Sequence, residues 1–345
     1  MKKISFIIPV YNTQSYLQRC FDSFNGAKSE DIEVIIVNDG STDKSEEVIK
    51  DYLIKDPTLF HYFKQENKGA AEARRRGIKE ASGEFIAFLD SDDAINYDNF
   101  LFMYDVAKER KVKIVKGAFK IYHENIPFLS VNNKKSKIKE INFIKNKKNI
   151  CVQTSVLTDK IIHNSLLCYF DSISRVNEDL ECVPFIYYKA RKMIEINKIV
   201  YYYYRRNTSS SIMGLDVSNV EAIKNTIYPL MNLKGKFVHE NIYNIYKQEI
   251  DAIIIKHITQ RITSVIFSLS IKNRKEVIKI LVDILSVIVP KWWTNKYYIA
   301  NFKGFEINDF FVLTVSKMKI YKYNEVCDKT LNLLLEEYAD KINCE

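Results

Sequence analysis

Short apolar runs alternate with amphipathic stretches through the first 120 residues of the chain. Residues 4–10 are apolar and β-favouring, which predicts a buried strand. After Asn12 and Thr13, either of which can cap a helix, Leu17, Cys20, Phe21 and Phe24 recur at i, i+3, i+4 and i+7. Asn25-Gly26 stops that helix. Residues 32–37 predict a second buried strand, and Asp43 with Glu46 predicts a capping pair opening a helix through Val48, Ile49, Tyr52 and Leu53. A strand at 60–63, a helix at 70–81 closed by Gly83, and an apolar strand from residue 84 continue the series. A helix over 97–110 and a strand over 112–119 follow, and the pattern is lost between 120 and 148. Such alternation predicts an α/β fold, a mostly parallel sheet flanked by helices.

The last third has a different rhythm. Ile250, Ile253, Ile254, Ile258, Ile262, Val265 and Leu269 form one helix face, and a second helix over 277–289 ends at Pro290. The change sets a boundary near residue 215, with an α/β domain at 1–214 and a helical domain at 215–345. Lys291-Trp292-Trp293 beyond the last helix is what an interfacial membrane segment shows. A helical subdomain packed on the sheet, or on a second copy of the chain, accounts for the same residues. A membrane surface and a homo-oligomer are therefore both candidate partners. The 277–289 segment carries Lys279 and Asp283 and is too short to span a bilayer. The apolar N-terminal run is too short for a secretory leader and is interrupted by Pro9. The expectation is a cytoplasmic protein, soluble or peripheral on the inner face of the membrane.

Composition changes this picture little. The chain has 345 residues, room for an α/β domain and a smaller unit. Its six cysteines include no C-x-x-C pair, which predicts reduced thiols rather than a disulfide framework or a zinc site. The five histidines show no metal spacing. The net charge is +9, and thirteen Lys and Arg against three Glu lie between Lys108 and Lys148. This surplus suits a phosphate-bearing substrate or an anionic surface, and equally a solvated loop. Few aromatic residues are interleaved for stacking, which argues against nucleic acid.

Chemistry gathers at the strand ends. The strand from residue 84 ends in Asp90-Ser91-Asp92-Asp93, three carboxylates in four positions. In parallel sheets, ligands bind beyond the carboxyl ends of the strands. Two such carboxylates suit a hard divalent cation completed by phosphate oxygens. Asp92 or Asp93 as the cap of the next helix is the alternative. The first strand ends in Pro9-Val10-Tyr11-Asn12 and the second in Asn38-Asp39-Gly40-Ser41, on the same sheet edge. Tyr11 and Asp39 can bracket a nucleobase, one by packing on the ring and the other by accepting its imide N–H. No G-x-G-x-x-G follows the first strand, which argues against a dinucleotide.

Taken together, Pro9-Val-Tyr-Asn12, Val37-Asn-Asp-Gly-Ser-Thr-Asp43, Asn67-x-Gly69-x3-Ala73-Arg74-x2-Gly77 and Asp90-Ser-Asp-Asp93 resemble the N-terminal half of bacterial family 2 glycosyltransferases. The match covers residues 1–120. Asn177-Glu178-Asp179 and Tyr201-Tyr-Tyr-Tyr-Arg205-Arg206-x2-Ser209 are similar to later motifs of that family. Arg75 stands where asparagine is common, and Asn177 where glycine often precedes Glu-Asp.

The resemblance implies a GT-A fold with a nucleotide-sugar half (1–120) and an acceptor half (121–214). It further implies inverting transfer from a nucleotide-diphosphate sugar, most often a UDP-sugar, to a saccharide or lipid-linked saccharide in cell-surface glycan synthesis. Mn2+ or Mg2+ would bind Asp92, with Asp90 assisting or contacting the ribose. Asp179 is the implied base, with Glu178 the alternative. Pro9, Tyr11, Asn12, Asp39, Gly69 and Ser91 would line the donor site, and Arg74 would orient Asp39 or the base. Arg205 or Arg206 would reach the diphosphate, with a surface ion pair the alternative for each. Two rivals are a sugar nucleotidyltransferase, which favours a Gly-rich loop where Pro9-Val-Tyr-Asn12 stands, and a non-catalytic adaptor at the membrane.

Overall fold

The computed structural model describes residues 2–123, 137–172, 174, 176–205, 220–268 and 271–297. The chain divides into two compact units, Met1–Thr208 and Ser209–Glu345.

The first unit is built on a nine-stranded sheet. Strands β1 (Ile4–Val10) and β2 (Ile32–Asp39) are buried on both faces, as their unbroken apolar runs require, and pair in parallel from Ile4↔Ile32 to Val10↔Asn38. β3 (Phe60–Gln65) adds to β2 in parallel, and β4 (Phe85–Phe88) to the other side of β1. Pro9 has no N–H for a ladder, and the β1–β4 register ends at Ile7↔Phe88, before it is needed. Helices α1 (Gln14–Asp22), α2 (Ser45–Lys55) and α3 (Ala70–Glu80) connect these strands. After the two-residue strand β5 (Ala94–Ile95) comes helix α4 (Tyr97–Arg110). Its cap is Asn96, whose Oδ1 accepts the Asn99 amide at 3.0 Å, and not Asp92 or Asp93.

Beyond α4 the alternation gives way to long-range pairings. The elements are β6 (Ile114–His123), β7 (Ile138–Asn142), α5 (Lys148–Val152), β8 (Lys160–His163), α6 (Glu178–Ala190) and β9 (Lys192–Arg205). β8 inserts antiparallel between β4 and β6, and β9 runs parallel to β6. β5 and β7 both pair antiparallel with β9. The strand order is β3-β2-β1-β4-β8-β6-β9-β5, with β7 on β9. The α/β class and the helix-flanked sheet are as expected, and its antiparallel members all join through β8 or β9, where the sequence shows no alternation.

Core packing draws on the predicted face of α1: Leu17, Cys20, Phe21 and Phe24 are buried against the sheet, Phe24 edge-on to Phe6. Neither expected cap closes as written. The Thr13 hydroxyl turns away from α1, and Asp43 accepts from the amides of Ser45 and Gln14 while Glu46 pairs with Lys50 and Lys64. α3 sits close on β1, where a Cβ on Gly77 would collide with the Ile7 side chain. Cys20, Cys151, Cys168 and Cys182 are free thiols. In the lysine-rich stretch Lys108 pairs with Glu84 and Lys116 with Glu195, while 124–136 lie outside the described residues.

The second unit contains helices α7 (Val220–His239), α8 (Tyr243–Ser268) and α9 (Ile271–Ile288). Ile223, Ile227, Leu230, Leu233 and Phe237 make the buried stripe of α7, and Ile250, Ile253, Ile254, Ile258 and Ile262 that of α8. Val265 and Leu269 lie outside the described side chains. No helix among the described residues is long and apolar enough to cross a membrane. Trp292 is 5% exposed and Trp293 49%, so the tryptophan pair does not present two indoles to an interface.

Gly77→Ala is expected to destabilise the protein by about 1–3 kcal/mol, because the added methyl forces α3 off β1. A urea melt with an unchanged midpoint would contradict this packing.

Candidate active site

Strands β1, β2 and β4 point the same way, so the segments after Val10, Asp39 and Phe88 meet at one edge. The segment after β2 is held by its own polar groups. Asp39 is buried, and its Oδ1 accepts from Gln65 Nε2 (2.7 Å) and the Lys68 amide (2.9 Å). Its Oδ2 accepts from the Gly69 amide at 2.8 Å and keeps a lone pair for one further donor. Gly69 has φ +91°, a backbone conformation that L side chains rarely adopt, and precedes the first turn of α3. Asn12, also at positive φ, uses Oδ1 to accept from the Thr42 and Asp43 amides, and its own amide donates to Ser41 Oγ. Asn12 thus braces one loop against another. Tyr11 beside it is half exposed.

The acidic segment after β4 is held from two sides. Thr13 donates to Ser91 Oγ at 3.0 Å, and Ser91 is buried. Arg19 of α1 donates to the backbone carbonyl of Asp92. On the opposite side Asp93 accepts from the Tyr201 hydroxyl (2.6 Å) and the Tyr204 amide (2.8 Å), both on β9. Burial, followed by the charge of Asp92, pushes Asp93 up to about 7. Asp93 therefore clamps the loop to β9, apart from Asp90 and Asp92 of the same segment.

The centre of the site is Arg74 on α3. Its Nη2 donates to Asp90 Oδ1 at 2.6 Å and its Nη1 to Glu178 Oε1, joining residues 104 positions apart. Burial lowers the proton affinity of Arg74, but Glu178 and Asp90 more than offset it, and the guanidinium stays charged. The expectation that Arg74 orients Asp39 is corrected: its partners are Asp90 and Glu178. Glu178 is buried and paired with Arg74, while Asp179 accepts from the Leu180 amide at 2.7 Å. Burial, and then Glu178, push Asp179 up to about 6. Asn177 before it has φ 59° and ψ 29°, the left-handed region that asparagine tolerates best after glycine. This explains why a non-glycine residue fits there. The backbone of Arg205 ends β9, while its side chain and all of Arg206 lie outside the described residues.

Among the described residues, no three His, Cys, Asp or Glu side chains form a group able to hold a metal. Asp90 and Asp92 still supply hard carboxylate oxygens, and Asp90 Oδ1 is taken by Arg74. Such a pair fits a divalent cation only when phosphate oxygens of a ligand complete its shell. Sequence reasoning missed Arg19, Tyr201 and Tyr204 as supports of this loop. The tyrosine run was visible, but its register against Asp93 was not.

A mixed sheet flanked by helices, with paired acids at its carboxyl edge, is the arrangement of a GT-A-type domain. Residues 5–168 match the family "Glycosyl transferase family 2". The cholesterol galactosyltransferase of Borreliella burgdorferi is 30% identical over 269 residues, covering 71% of this chain and 72% of that protein. The minor teichoic acid biosynthesis protein GgaB of Bacillus subtilis is 30% identical over 217 residues, 61% of this chain and 24% of that protein. The crystal structure of S. aureus TarS 1-349 has the same fold, with a TM-score of 0.61 at 19% identity over 82% of this chain and 83% of that one. This chain belongs to glycosyl transferase family 2. It spans 18%, 27% and 40% of the lengths of three further curated glycosyltransferases.

Arg74→Met should cost about 3–5 kcal/mol, because it leaves Glu178 buried without its partner. Arg74→Met with Glu178→Leu should recover most of that loss in a denaturant titration. A single variant as stable as the parent would remove Arg74 from the centre of the site.

Proposed function

We propose that this chain transfers a sugar from a nucleotide-diphosphate sugar, a UDP-sugar, to an acceptor hydroxyl with inversion at the anomeric carbon. The observation that carries the reading is the Arg74 bridge, which brings the Asp90-Ser-Asp-Asp93 loop and the Glu178-Asp179 pair to one crevice. The S. aureus TarS structures, which share the fold, include complexes with UDP and UDP-GlcNAc, and this supports a UDP-sugar donor.

The nucleobase packs on Tyr11 and gives its imide N–H to the remaining lone pair of Asp39. The diphosphate extends toward Asp90 and Asp92. A divalent ion, Mn2+ or Mg2+, held there by Asp92 with Asp90 beside it, would supply Lewis-acid neutralisation of the charge growing on the leaving diphosphate. Arg74 offsets the negative charge of Asp90 and Glu178, so the acids can sit together without that ion. Asp179 takes the proton of the acceptor hydroxyl as the new glycosidic bond forms and the bond to the diphosphate breaks. Glu178, tied to Arg74, fixes the first turn of α6 and so the position of Asp179. Arg205 or Arg206 at the end of β9 would reach the diphosphate as further positive charge. The acceptor is a saccharide or lipid-linked saccharide of a cell-surface glycan, a reading that the similarity to GgaB supports.

Asp179→Asn should keep donor binding by calorimetry and lose turnover by about 10²–10⁴-fold. A variant turning over at the parental rate would move the base elsewhere. The acid form of Asp179 cannot accept a proton, so kcat should rise with pH through about 6 and level above it. A rate independent of pH between 5 and 8, with chemistry shown to be limiting, would count against Asp179 as the base.

A further inference from the structure

Arg19 has no part in the sequence motifs, yet it meets the site at two points. Its guanidinium lies 3.6 Å from the centre of the Tyr204 ring, and its Nη2 donates to the backbone carbonyl of Asp92. Tyr204 is the residue whose amide holds Asp93, and its ring stacks on Tyr122 at 5.1 Å and 15°. One flat cation thus ties α1, the acidic loop and the end of β9 together. Its neighbour Cys20 approaches the Asp90 carbonyl with Sγ at 3.9 Å, and Thr13 holds Ser91.

We propose that Arg19 is a positioning residue that sets how Asp92 is presented to the donor diphosphate. Fixing the Asp92 carbonyl orients the peptide plane that follows it, and with Ser91 before it held by Thr13 this restricts the direction of the Asp92 Cα–Cβ bond. The planar guanidinium is needed because it donates in its plane while its face packs on Tyr204; an ammonium donates but cannot stack flat. Arg19 does not touch the donor. Its effect passes through Asp92, and it rests on the reading that Asp92 faces the diphosphate.

The test is calorimetric binding of UDP in Mn2+, and of uridine without metal, to the full chain carrying Arg19→Met or Arg19→Lys. Arg19→Met should weaken UDP–Mn2+ binding about 10-fold, as loss of an outer-shell support does, and leave uridine affinity unchanged. Arg19→Lys should fall between Arg19→Met and the parent. Equal weakening of UDP and uridine would show a general structural role and overturn the proposal. An Arg19→Met variant that binds UDP–Mn2+ like the parent would overturn it as well. A parent chain whose UDP affinity ignores Mn2+ would instead sink the reading of Asp92, and the role of Arg19 with it.

Discussion

A single buried cation decides whether this site can exist. Asp90, Glu178 and Asp179 converge in a protected crevice, where like charges repel far more strongly than in water. Arg74 answers two of the three directly and leaves the third with a raised proton affinity. The reach of Arg74 depends in turn on packing. Its helix lies tight against β1 because Gly77 offers no side chain to Ile7. A close helix–strand contact and an acid–base arrangement are thus two ends of one lever.

The acidic loop is as firmly held as a loop can be without being part of the sheet. α1 grips it through Thr13 and Arg19, and β9 grips it through Tyr201 and Tyr204. Both carboxyl oxygens of Asp93 are taken up by these contacts, which separates its work from that of Asp90 and Asp92. Three neighbouring aspartates of one motif carry different duties because different elements face them. Asp39 at the end of β2 shows the same economy: three donors hold it while one lone pair stays open.

Much of the first 110 residues was legible, because strands and helices alternate there in regular order and periodicity is a local signal. The acidic motif was legible for the same reason: it sits at a strand end. The rest depends on partners far along the chain. β8 was invisible, since four residues between a lysine-rich stretch and a short 3-10 turn carry no period, yet it fills the gap between β4 and β6. The assignment of Arg74 went partly astray because its helix face was readable but the acid opposite it was not. Arg19 went unnoticed for a related reason: a lone arginine on the polar side of an amphipathic helix looks like a solvated residue until β9 is laid beside it.

The placement of β8 and β9 also bears on how the molecule is made. β1 to β4 and their helices pair among themselves within residues 4–88, so this part of the sheet can condense while synthesis continues. β4 must wait some distance for β8, and Asp93 waits for Tyr201, more than a hundred residues later. Until β8 arrives one edge of β4 is open, and until β9 arrives the acidic loop lacks its hold on Tyr201 and Tyr204. Order at the acidic loop is therefore the last thing the ribosome delivers to this domain, and a chain cut before β9 would build its first strands without it.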